Sequence, residues 1–150
     1  MSKKIICWIL VIIWMGIIFY FSSMNGEISQ NQSRGFLYHT ITKIITFFDK
    51  NIDEEEKKQL VIKYDPIIRK IAHISIYFIL EILVFIALNQ YDLNIKKIIF
   101  YSFLICIIYA CTDELHQTFV SKRSGKIIDV LIDTIGISFG IIPCYLRRKL

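Results

Sequence analysis

An all-α, polytopic membrane protein with four transmembrane helices is what this 150-residue chain predicts. Three observations carry that fold class. Apolar residues make up 55% of the chain, and the mean hydropathy of +0.52 exceeds that of an ordinary soluble domain. Four stretches, at about 5–23, 67–88, 96–118 and 127–146, are long and apolar enough to cross about 30 Å of hydrocarbon. The length fits one membrane domain over residues 1–150, with no room for a second core.

The first helix is the uncharged run IICWILVIIWMGIIFYF, extended by Ser22 and Ser23. Lys3 and Lys4 precede it as they would precede a signal peptide, but the run exceeds a normal h-region and no A-x-A-like site follows, so it predicts a retained helix. Next comes the longest polar insertion, Asn25 to Asp65. Within it Phe36, Leu37, Ile41, Ile44, Ile45, Phe47 and Phe48 recur at three- and four-residue steps, which predicts an amphipathic helix lying in the membrane interface. The stretch Asp53 to Tyr64, with acids ahead of bases, predicts a short helix serving as a solvated connector or a docking surface. Asp65 and Pro66 read as N-cap and first position of the second transmembrane helix. On the last helix Gly136 and Gly140 form a small-xxx-small pair that lets another helix approach closely.

A formal net charge of +5 could suggest nucleic acid, but the bases gather at segment boundaries and no nucleic-acid partner is expected. Lys3, Lys4, Lys96, Lys97, Arg147, Arg148 and Lys149 place both termini and the loop 89–97 in the cytoplasm by the positive-inside rule, making the insertion extracytoplasmic. Lys122, Arg123 and Lys126 then stand on the translocated side, where a basic residue has a task of its own. Cys7, Cys106, Cys111 and Cys144 all fall in apolar segments without a C-x-x-C pair, which predicts inert thiols.

Polar groups inside the spans carry the functional signal, because a charged side chain in hydrocarbon costs at least about 2.5–3.5 kcal/mol and normally faces a bundle interior or a wet cavity. Helical rise converts sequence distance into depth. His73 stands sixteen residues from Asn89, Asp113 sixteen from Lys97, Asp129 eighteen from Arg147 and Ser22 eighteen from Lys4. All four therefore lie about 24–27 Å above the inner boundary, in one polar layer near the outer headgroups. Arg69, His73, Tyr77 and Glu81 share one helix face, Asp113 and Gln117 a second, Asp129 and Asp133 a third. Arg69, Lys70 and Arg123 are expected to oppose Asp113, Glu114, Asp129 and Asp133. Glu81 sits deepest, at about 12 Å, where burial favours the neutral acid.

The string Arg69-Lys70-x-x-His73-x-x-x-Tyr77, then Asp113-Glu114-x-His116-Gln117-x-Phe119-Val120-x-x-Arg123-x-Gly125-x-x-x-Asp129-Val130, ending in Gly136 and Gly140, resembles the VanZ-like family. Phe21-Ser22-Ser23 closing the first helix is similar to that family's pattern too. Two departures stand out: Asp133 where members often carry asparagine, and Ser121-Lys122 where a proline-glycine turn precedes the arginine. The resemblance implies a small multi-pass protein of the cell envelope, linked in some relatives to lowered susceptibility to teicoplanin, a lipid-bearing glycopeptide that acts at the outer membrane face.

Two functions compete. In the first, Arg69, Lys70, His73, Tyr77, Asp113, Glu114, Gln117, Arg123, Asp129 and Asp133 bind a polar lipid headgroup, a lipid-linked wall precursor or a lipoglycopeptide, with guanidinium forks holding phosphate or carboxylate. In the second, a membrane enzyme acts on such a headgroup, with His73 or Glu114 as general base or acid. His73, Asp113, Glu114, His116 and Asp129 offer nitrogen and oxygen to a metal, but their spacing matches no metal motif and the nearby bases repel a cation, so no metal or other cofactor is expected. Four helices are few for alternating access unless the protein forms a homo-oligomer. A purely structural role for the charges, locking helix to helix, is the remaining alternative.

Overall fold

The computed structural model describes residues 2–48 and 53–149, which form five helices: α1 (Lys3–Ser22), α2 (Gly26–Phe48), α3 (Glu54–Leu88), α4 (Ile95–Gln117) and α5 (Ile127–Lys149). Four of them, α1, α3, α4 and α5, are long and apolar enough to cross a membrane. Their outer faces carry large apolar side chains such as Ile12, Phe100, Leu131 and Phe139, all more than half exposed, which suits contact with lipid and not with water.

Helix α3 is the central element and touches the other four, most extensively α5. The core is built where narrow stripes meet it. On α4 the buried positions Ile98, Ser102, Cys106, Ala110, Asp113 and Gln117 recur every three or four residues, and the small side chains among them bring α4 close to α3. Tyr77, Leu80 and Val84 of α3, Ile137 of α5, and Val11 and Ile18 of α1 complete the core. Buried Glu81 accepts a hydrogen bond from the Ser102 hydroxyl at 2.5 Å, so the deepest acid is met by a hydroxyl and not by a cation. The four cysteines are free.

Both chain ends meet the α3–α4 loop. The Trp8 indole donates to the Tyr91 hydroxyl at 3.1 Å, Lys4 lies over the Tyr91 ring, and Arg148 donates to the Leu93 carbonyl at 3.0 Å. The side chain of Asn94 caps α4 by accepting from the Lys97 amide at 2.9 Å. The α1–α2 and α4–α5 connections therefore sit together at the opposite end of the bundle.

One boundary is corrected. Asp65-Pro66 does not start the second span, because α3 already begins at Glu54, where Asp53 caps the Glu54 amide at 2.7 Å and Glu54, Glu55 and Glu56 complement the helix dipole. The helix continues through Pro66 for 35 residues, about 52 Å at ordinary rise and so longer than the hydrocarbon layer. Proline removes one backbone hydrogen bond there, and α2 docks alongside. Asp65, 1% exposed, accepts from the Ser33 hydroxyl at 2.6 Å and pairs with Arg34 at 3.4 Å. One turn further on, Leu37 of α2 and Val61 of α3 are buried in the same antiparallel register, and the Tyr38 hydroxyl donates to Glu54. Thus Leu37, expected to face lipid, is covered by protein, whereas Phe36 stays exposed; the side chains of Ile44, Ile45, Phe47 and Phe48 lie outside the described residues.

Asp65→Ala would leave the Ser33 hydroxyl and Arg34 without their partner. The expected result is a local loss of about 1–3 kcal/mol, seen as faster amide hydrogen exchange along α2 while α4 and α5 keep their protection.

Candidate functional site

At the end of the bundle that carries the α1–α2 and α4–α5 connections, a cavity of about 360 Å³ opens between α2, α3, α4 and α5. Seven of the residues singled out in the sequence line it: Arg69, Lys70 and His73 from α3, Glu114 and Gln117 from α4, Arg123 from the following loop, and Asp129 from α5. The other three stand just behind. Asp133 is fully buried with its Oδ1 3.3 Å from His73 Nδ1, a close approach without the alignment of a hydrogen bond. Buried Tyr77 donates to Asp113 Oδ2 at 3.4 Å, and Gln117 donates to the same oxygen at 3.1 Å. Helical spacing explains the gathering, since each contributing helix presents positions four apart on its inward face.

The acids take neutral donors. Asp113 is held by a phenol and an amide, while Glu114 Oε2 accepts the backbone N–H of Lys126 at 2.9 Å and so fastens the start of α5 to α4. Asp113 Oδ1, Glu114 Oε1 and both Asp133 oxygens are buried and accept no hydrogen bond among the described residues. Arg69, Lys70 and Arg123 line the same cavity as Glu114 and Asp129, but among the described residues none of these three bases lies within 4.0 Å of Asp113, Glu114, Asp129 or Asp133 as an ion pair, and Arg123 is turned to backbone carbonyls instead.

Arg123 shows where. Its guanidinium donates to the carbonyls of Met24 at 2.9 Å and Phe21 at 2.8 Å, satisfying the open end of α1. Burial, and then the like charge of Arg69, press its pKa below the usual arginine value. The neighbouring Lys122 pairs with Glu27, and the Gly26 amide donates to the Ser121 carbonyl at 3.2 Å. A Cβ at Gly26 would collide with the Lys122 carbonyl, so glycine is what lets the two connections touch. They form one stitched rim.

Sequence reasoning missed Asp65, Gln30 and Lys126 as lining residues, and Ser23, whose hydroxyl lies 3.1 Å from His116 Nε2. Asp65 left a signal as an acid directly preceding a proline, Lys126 as a base on the translocated side, and Ser23 in the Phe21-Ser22-Ser23 close of α1; Gln30 left none. Among the described residues no three His, Cys, Asp or Glu side chains converge as a metal site.

With the geometry in hand, the sequence profile of VanZ/LLP1 matches residues 7–148. The chain belongs to the VanZ/LLP1 family. No curated protein and no solved structure matches it.

Membership gives meaning to the rim. Where the VanZ-like pattern carries proline-glycine, this chain has Ser121-Lys122, and Lys122 adopts φ 58°, a left-handed conformation that glycine takes at little cost. Lys122→Gly is expected to be tolerated, whereas Lys122→Val should lower stability by about 1–2 kcal/mol, read from thermal unfolding in detergent.

Proposed function

We propose that this VanZ/LLP1 protein binds the anionic group of an envelope amphiphile, whether a polar lipid headgroup, a lipid-linked wall precursor or a lipoglycopeptide, and through that binding lowers susceptibility to teicoplanin. One observation carries the reading. Arg69 and Lys70 line the cavity without an acidic partner among the described residues. Uncompensated guanidinium beside a half-enclosed cavity is a ready receptor for phosphate or carboxylate.

In this reading the stitched rim faces outward and both termini lie in the cytoplasm. Support comes from Lys3, Lys4, Lys96, Lys97, Arg147 and Arg148, all at the end of the bundle where the chain termini meet the α3–α4 loop. A homo-oligomer is compatible with it but not needed, since one chain encloses the cavity. The test is teicoplanin susceptibility of a sensitive host expressing the parent chain or Arg69→Ala at matched membrane levels. Protection by the parent and none by the variant is expected; no difference between either strain and an empty host would overturn the reading.

The His73–Asp133 contact favours a second reading. A buried carboxylate beside Nδ1 of an imidazole that lines the cavity is the pairing a general base uses, and Glu114 lines the same cavity. An enzyme of this kind would turn over a lipid-linked envelope substrate. Incubating the purified protein with labelled lipid-linked precursors decides between them: a product lost in His73→Ala favours catalysis, and unchanged substrate across the pH range favours binding alone.

A further inference from the structure

A second cavity of about 390 Å³ adjoins the first, and Arg69, His73, Gln117 and Arg123 line both. Its character differs. Ile18 of α1, Phe36 of α2, and Ile68, Ala72 and Ile76 of α3 give it walls that are mostly apolar by area, with Ser22, Ser29, Ser33 and Asp113 of α4 also lining it, so it is a largely hydrocarbon-walled cleft between α1, α2, α3 and α4 that adjoins the cationic pocket. From Ile68 to Ile76 it runs about 12 Å along α3. It closes where α1 meets α3, as the Trp14 indole, one turn below Ile18, donates to the Ile76 carbonyl at 2.9 Å.

We propose that this cleft holds a hydrocarbon chain of a lipid whose phosphate monoester occupies the neighbouring pocket. The inference deepens the pocket reading above and rests on it. Charge selects the headgroup: Arg69 and Lys70, two cationic side chains of the lining with no acidic partner among the described residues, match the roughly −1.5 to −2 of a phosphate monoester at neutral pH, more than one carboxylate supplies. Continuity selects the occupant of the cleft, because a soluble phosphate would leave an apolar slot, opening from its own binding site, wetted by water. An attached chain fills it and leaves no apolar wall hydrated. The residues shared by the two cavities stand where headgroup and chain join.

Trp14 gives the readout, because Trp8 is the chain's other tryptophan and Trp8→Phe makes Trp14 unique. The full chain carrying Trp8→Phe is placed in neutral, unbrominated bilayers and titrated with phosphatidic acid brominated on its acyl chains, with equally brominated phosphatidylcholine, and with glycerol phosphate. Phosphatidic acid should quench Trp14 saturably at a mole fraction about tenfold below that needed by phosphatidylcholine. Ala72→Phe, which fills the cleft, should remove this selective quenching while glycerol phosphate still binds; Ile68→Phe serves as the second plug if Ala72→Phe does not accumulate. Equal quenching by both lipids, or selective quenching that survives both plugs, overturns the chain site. If glycerol phosphate binds in that case, the pocket reading stands alone; if neither glycerol phosphate nor phosphatidic acid binds, both readings fall. Selective quenching without measurable glycerol phosphate binding supports the chain site, with the hydrocarbon supplying most of the affinity.

Discussion

Replacing Gly136 with valine is expected to prevent the protein from accumulating in a folded form. A Cβ at Gly136 would overlap the Ile74 carbonyl of α3, and one turn on a Cβ at Gly140 would stand 2.8 Å from the Phe78 carbonyl and 2.8 Å from Glu81 Cβ. These are mostly backbone atoms of the central helix, which cannot rotate aside as a side chain does. Overpacking a core by a few atoms costs about 1–3 kcal/mol, and here it would force apart the two most extensively packed helices. Gly16→Val is the control, since nothing lies within 4 Å of a Cβ at Gly16. The check is the fraction of each variant that stays monodisperse in detergent on heating; equal curves for Gly136→Val and Gly16→Val would refute the close approach of α3 and α5.

Arg69→Ala should separate affinity from stability. Arg69 makes no hydrogen bond or ion pair among the described residues, so its removal breaks nothing in the fold and relieves like-charge repulsion with Arg123. Charge-assisted bonds to an anion are worth about 1.5–3 kcal/mol, so binding of a phosphate-bearing ligand should weaken about 10- to 150-fold with the melting temperature unchanged or slightly raised. Arg123→Ala should behave differently, because losing that guanidinium strips the Phe21 and Met24 carbonyls of their donors and lowers stability and affinity together. Titration of both variants with a phosphate-bearing lipid, alongside thermal unfolding, tests the contrast. An Arg69→Ala protein that binds as the parent does would remove this residue from the site.

The spans were legible because hydropathy depends only on local composition, and the polar layer because helical rise turns sequence distance into depth. Of the four groups placed by that arithmetic, His73 and Asp129 line the pocket, while Asp113 and Ser22 line the adjoining cleft. What eluded it were partners chosen by tertiary packing. Pro66 looked like a helix start since its missing N–H is harmless there, yet α3 runs on through it, with α2 docked on the preceding Asp65 through Ser33 and Arg34. Arg123 looked like a counter-ion because a charged group in a polar layer suggests an opposite charge. In the fold it meets carbonyls, whose orientation depends on how α1 ends and not on any side-chain pattern. Unlike those two, Gly136 and Gly140 kept their packing role, since small-xxx-small spacing already encodes a close approach.

The stitched rim also bears on how the protein is made. Arg123 reaches back 99 residues to Met24 and 102 to Phe21, and Lys122 reaches back 95 to Glu27. During synthesis, helices α1 to α3 can enter the bilayer with the cavity unfinished, and the emerging chain completes its rim only once the α4–α5 connection has been translated. On the proposed reading, nascent fragments ending before residue 123 should therefore fail to bind the amphiphile however well they insert.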